Sequence, residues 1–192
     1  APTRGSLRMF LQVGSAMEAD DQRGMAHFVE HMAFNGTKHF PAGDTLEYFQ
    51  RLGMSFGAHT NASTQIDHTV YQLELPRANE ELTSDGLKLF RDFLDGMLLD
   101  AKEIDKERGV ILSEQLARNT PVYRNAVGII QSALVGTKCA DRMPIGKTET
   151  VRKMTRERFV EFYESWYTPG RTVIVAVGDF DVANVETLIR KH

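Results

Sequence analysis

Between Gly24 and Thr37 the chain reads GMAHFVEHMAFNGT, and this stretch constrains the rest most tightly. On a helix of 3.6 residues per turn, His27 and His31 stand one turn apart on the same face, close enough for both imidazoles to hold one metal ion. Glu30 flanks that pair, and Met25, Phe28, Val29 and Met32 supply the apolar positions through which the helix packs. A fold that accepts this segment must bury one side of the helix while its imidazoles face a cavity.

Two histidines do not close a catalytic zinc site, which takes three protein ligands and keeps one position for water. The best source of a third donor is the segment EIDKERGVILSEQL around Glu103 to Leu116, predicted to be helical. There Glu107 and Glu114 lie seven residues apart, two turns, so their carboxylates share a face with Val110 and Ile111 between them. Such a pair is costly to bury without a cation. The same spacing equally fits a solvated face on which Glu103, Glu107 and Glu114 pair with Lys106 or Arg108, and the residues alone leave both readings open. The order His-x-x-Glu-His inverts the His-Glu-x-x-His motif of zinc peptidases and points to zinc-dependent peptide hydrolysis.

The remaining pattern sets the architecture. Leu7 to Val13, Ser55 to Ala62 and Thr69 to Leu75 read as strands, the last with strict alternation, and Thr172 to Val177 is an apolar run of the kind covered on both faces. The motif helix is expected from about Gly24 to Phe34. Others are expected after Asp44 with Leu46, Phe49 and Gln50 and closed by Gly53, from Asn79 to Leu99, from near Ala101 and ending before Asn119, from Val122 to Leu134, after Thr155 with Phe159, Phe162, Tyr163 and Trp166, and after Asp181. Strands early and late with long helices between them predict an α+β domain, helices packed against a mostly antiparallel sheet.

Length and 42% hydrophobic content suit one domain spanning 1–192. The balance of 23 basic against 26 acidic residues, net charge -3, offers no basic block to track a phosphate backbone, which argues against nucleic acid. A single cysteine, Cys139, excludes an internal disulfide and a cysteine-built zinc site. No apolar run reaches the roughly 18 residues of a membrane span. The start, Ala1-Pro2-Thr3-Arg4, carries neither an initiator methionine nor a signal-peptide pattern, and we expect a processed or excised piece of a longer multi-domain chain. His39, His59 and His68 are expected to be surface or hydrogen-bonding histidines. A carboxylate-bridged di-iron bundle would need Glu-x-x-His, which the chain lacks.

The segments HFVEHMAFNGT, FGAHTNASTQIDHTVYQLELP, ERGVILSE and VRKMTRERFVEFYESWYTPGRTVIVAVGDFD, in that order, resemble the pitrilysin/insulinase family of inverted-motif zinc peptidases, which includes mitochondrial processing peptidase and insulin-degrading enzyme. The likeness covers nearly the whole chain, follows the family's catalytic N-terminal domain, and is strongest to its large bacterial members. It implies one Zn²⁺ per domain on His27, His31 and Glu114, with Glu30 as general base and Glu107 as supporting acid. The interval from His31 to Glu114 is longer than is usual in the family, which keeps Glu107 in view as the alternative ligand. It further implies a peptide or unfolded polypeptide substrate added as a strand beside Asn61 and Ala62. Two more implications are a partner C-terminal half, in the same or another chain, without which hydrolysis is weak, and a place in the bacterial periplasm or cell envelope. The family also holds noncatalytic homologues, which lose motif residues; here His27, Glu30, His31 and Glu114 are all present.

Overall fold

Strand β1 (Gly5–Leu11) alternates buried with half-buried residues, so Leu7, Met9 and Leu11 enter the core while Ser6, Arg8 and Phe10 face away. The structure, a computed structural model, describes residues 4–43, 47, 48, 50, 54, 55, 57 and 59–192. Strand β2 (Thr60–Thr64) and strand β3 (Thr69–Leu75) follow, and strand β4 (Thr172–Gly178) closes the sheet in the order β2-β3-β1-β4, every pairing antiparallel. Met9 stands opposite Tyr71 in β3 and Ile174 in β4.

Seven α-helices lie among the described residues: α1 (Met25–Met32), α2 (Glu80–Asp95), α3 (Ala101–Arg118), α4 (Pro121–Ala133), α5 (Thr148–Lys153), α6 (Arg156–Trp166) and α7 (Val182–Lys191). Tyr71, Leu73 and Leu75 of β3 join Phe28 and Met32 of α1, Phe90 and Phe93 of α2, and Phe159 and Phe162 of α6 in one continuous core. The α+β architecture expected from the sequence is present. The apolar side of α1 is fully buried, and its remaining face meets β2 and α3.

The expected elements shift where backbone chemistry overrides hydrophobicity. Extended pairing begins at Thr60 rather than Ser55 because Gly57 adopts φ 85° and the Ser55 carbonyl accepts from His59 N at 2.8 Å, closing a turn. Strand β1 stops at Leu11, before Val13, and α2 stops at Asp95, leaving Met97 and Leu99 buried but outside the helix. Of the helix expected after Asp44, Asp44, Leu46, Phe49 and Gly53 lie outside the described residues, while Glu47, Tyr48 and Gln50 are helical. The run Thr172 to Val177 is not covered on both faces: Val173, Val175 and Val177 are 55%, 41% and 65% exposed, because they stand beside Phe10, Arg8 and Ser6 of β1 on the sheet face turned away from the core, and only Ile174 and Ala176 pack against it. An apolar run without alternation does not by itself show that both faces of a strand are covered.

Two contacts fix the start of α1. Gly24, its N-cap, has φ 101° and no side chain to cap with, so the buried Glu18 carboxylate accepts from Gly24 N and Ala26 N, both at 3.0 Å. The backbone of Gly146, at φ 70°, packs so closely on Gly24 that a Cβ there would collide with it. Burial pushes the Glu18 carboxyl up to about 8 despite its amide donors and Arg142. Glu18→Ala is therefore expected to cost about 1–3 kcal/mol by stranding two buried N–H groups. Between pH 4.5 and about 8 the folded protein retains a proton that the unfolded chain has released, so stability falls as pH rises and the wild type's advantage over the variant narrows. Thermal melts of both proteins at pH 5 and pH 8 check the size and the sign.

Candidate metal centre

The imidazoles of His27 and His31, one turn apart on α1, converge with Nε2 atoms 3.2 Å apart. Glu114 of α3 points Oε2 at both, 3.6 Å from each Nε2. These three atoms form the one His, Cys, Asp or Glu grouping among the described residues with metal-ligand spacing. A tetrahedral zinc with bonds of about 2.0–2.2 Å sets its ligand atoms about 3.3–3.6 Å apart, so the triangle has the size such an ion needs. Arg118 holds the other Glu114 oxygen, leaving Oε2 to the imidazoles.

Glu107 takes a different place. Its Oε1 lies 2.8 Å from His31 Nδ1 and its Oε2 accepts from Asn35 Nδ2 at 2.8 Å. A carboxylate only accepts here, so Nδ1 carries the proton and the tautomer leaves Nε2 free to donate its lone pair to a cation. The two sequence readings of this helix thus divide by residue: Glu103 pairs with Lys106 on the solvent side, Arg108 turns to Asp105 and the Met154 carbonyl, and Glu107 and Glu114 turn to the histidines. Of the side chains between them, Ile111 is buried and Val110 is exposed to the cleft.

Burial, reinforced by His31 and Arg118, pushes the His27 imidazole down to about 3, so it is neutral and able to ligate. Burial also works against a charged His31, but the Glu107 contact and the Glu30 and Glu114 carboxylates outweigh it and raise its pKa. For Glu107, burial is outweighed in turn by the His31 and Asn35 hydrogen bonds, which hold its carboxyl below the ordinary value. Glu30, 7% exposed, is raised above the ordinary carboxylate range chiefly by burial.

These groups open into a cleft of about 550 Å³ whose walls include Phe34, Val110, Ile145, residues 61–64 of β2 and Gln65 just past its end. Asn61 and Ala62 both line it, Asn61 Oδ1 accepting from Ala62 N at 2.9 Å. Glu30 does not reach the triangle of ligand atoms; its Oε2 accepts from Thr64 Oγ1 at 2.6 Å. His39 pairs with Asp92, His59 with Ser55 and His68 with Asp67, all away from the cleft. Three cleft residues escape a reading by motif: Asn35, Thr64 and Arg118. Asn35 stands four residues past His31 and reads as a helix stop, Arg118 stands four residues after Glu114 at the spacing of a helical acid–base pair, and Thr64 carries no local pattern.

Residues 3–127 match the model of the insulinase family, peptidase family M16. The chain belongs to that family. Residues 153–192 match a second M16 model, described as the inactive domain; they hold α6, β4 and α7, which contribute nothing to the metal-ligand triangle. Among M16 relatives, the probable zinc protease PqqL of Escherichia coli is 35% identical over 194 residues, all of this chain and 21% of that protein. The crystal structure of that protein, described as a periplasmic protease, superposes with TM-score 0.94 over 98% of this chain and 21% of its own. A mutant of the ferredoxin protease FusC in complex with Arabidopsis ferredoxin is 27% identical, TM-score 0.93, over 100% of this chain and 21% of that one. The M16 chain described here thus spans about a fifth of the length of these relatives.

Proposed function

We propose that this chain is the catalytic N-terminal domain of a longer zinc endopeptidase, holding one Zn²⁺ on His27, His31 and Glu114. The convergence of those three donors, with His31 locked in the required tautomer by Glu107, carries this reading. Relatives named as zinc proteases support it. When bound, zinc supplies Lewis acidity that makes water a nucleophile near neutral pH and polarises a carbonyl.

The side chains do the rest. Glu30 takes the proton of the attacking water and returns it to the leaving amine, and its burial keeps it more basic than an ordinary carboxylate. Strand β2, at the sheet edge and along the cleft, offers main-chain groups to an extended peptide or unfolded polypeptide beside Asn61 and Ala62. Pairing through the backbone accepts many side-chain sequences.

A C-terminal half, in this or a partner chain, is part of the proposal, supported by the much greater length of the relatives. So is a bacterial periplasmic or envelope location, supported by the description of the E. coli relative. No described helix is long and apolar enough to cross a membrane. The full-length protein is expected to bind one zinc per domain and to cleave unfolded polypeptide, with activity removed by chelator and restored by zinc. Residues 1–192 alone should bind zinc and hydrolyse slowly. Chelator-insensitive hydrolysis by the full-length protein overturns the metal mechanism, and robust turnover by the domain alone overturns the need for a second half.

A further inference from the structure

We propose that Thr64 is a positioning residue for Glu30, tying the carboxylate that handles the proton to the strand that holds the peptide; this rests on the peptidase reading above. Thr64 ends β2 and stands opposite Thr69 of β3. Thr69 Oγ1 donates to the Val13 carbonyl at 2.8 Å, so its proton is already committed. Thr69 Oγ1 can then only accept from Thr64, and the Thr64 proton goes to the nearer acceptor, Glu30 Oε2 at 2.6 Å, rather than to Thr69 Oγ1 at 3.4 Å. Thr64 is 8% exposed and Glu30 7%, so water competes little for this bond.

Among the described residues Thr64 is the one side chain that donates a hydrogen bond to Glu30. A glutamate has three side-chain torsions to restrain, and a single charge-assisted bond from a stiff β-branched residue restrains the end of it. That bond engages Oε2 and leaves Oε1 for the proton transfer. Because residues 61–65 also line the cleft, a peptide laid along β2 orders the same strand that holds the base. Docking and proton transfer are thereby linked through one hydroxyl.

The test compares Thr64→Val, which keeps the shape and loses the donor, with Thr64→Ser, which keeps the donor, in the zinc-loaded full-length protein. Thr64→Val is expected to lower kcat roughly 10- to 100-fold, from the loss of one hydrogen bond to a charged group. KM, zinc stoichiometry and the affinity for a non-cleavable strand peptide should stay within about twofold, and Thr64→Ser should recover most of kcat. Crystals of zinc-loaded Thr64→Val should show Glu30 in more than one rotamer, against one in the wild type. An unchanged kcat, a loss confined to KM or zinc content, no recovery in Thr64→Ser, or a single unmoved Glu30 rotamer overturns the proposal. Should the wild type show no chelator-sensitive hydrolysis, the peptidase reading falls, and the Glu30 rotamer still decides whether Thr64 positions it.

Discussion

Glu30→Gln in the zinc-loaded full-length protein is expected to lose roughly 10²–10⁴-fold in kcat while keeping its zinc. The substitution is nearly isosteric, and the amide oxygen of Gln can still accept from Thr64 Oγ1, so the buried contact between α1 and β2 survives. What it removes is the ability to take a proton. The metal-ligand triangle of His27, His31 and Glu114 does not include Glu30, so metal analysis should return one zinc per domain in variant and wild type alike. KM should move little, because a group that acts on the water's proton contributes to the transition state and not to peptide docking. Single-turnover rates with metal content measured on the same samples separate the two effects. Near-normal cleavage by this variant removes Glu30 from the mechanism, and a parallel loss of zinc makes it a structural support of the site instead.

How much of this arrangement is written locally in the chain differs by residue. His27, Glu30 and His31 are fixed by helical geometry within a five-residue span, and the apolar positions of α1 are all buried as their spacing requires. The alternation of β3 likewise gave its inner face, Tyr71, Leu73 and Leu75. Beyond that range the information becomes tertiary. Glu107 and Glu114 occupy the same face of one helix, and nothing in their spacing says which meets Nε2 and which meets Nδ1 of His31; the crossing of α1 and α3 decides it. Val173, Val175 and Val177 read as core residues and are exposed, because which face of the sheet the helices cover is a tertiary matter and the composition of β4 does not carry it. Thr64 and Asn35 enter through single hydrogen bonds formed across 34 and 72 residues of sequence, a distance at which no periodicity operates.

The carboxylates of α3 provide the second large effect. Glu114→Gln should weaken zinc binding by more than the 10- to 100-fold that changes in supporting residues typically cause, because it replaces an anionic ligand by a neutral amide. It also strands Arg118, whose guanidinium pairs with Glu114 Oε1 and would then add an uncompensated positive charge beside the ion. Glu107→Gln should be milder, at most the 10- to 100-fold of a supporting contact, since an amide oxygen can still accept from His31 Nδ1 while no ligand atom is lost. Competition against a chromophoric chelator measures both constants, and the ranking is the informative result. If Glu114→Gln retains wild-type affinity while Glu107→Gln loses its zinc, the anionic ligand is Glu107, which requires His31 to turn its ring and give up the Nδ1 contact. The expected order instead follows from two distances: Glu114 lies 3.6 Å from both ring nitrogens that face each other, and Glu107 lies 2.8 Å from the one that faces away.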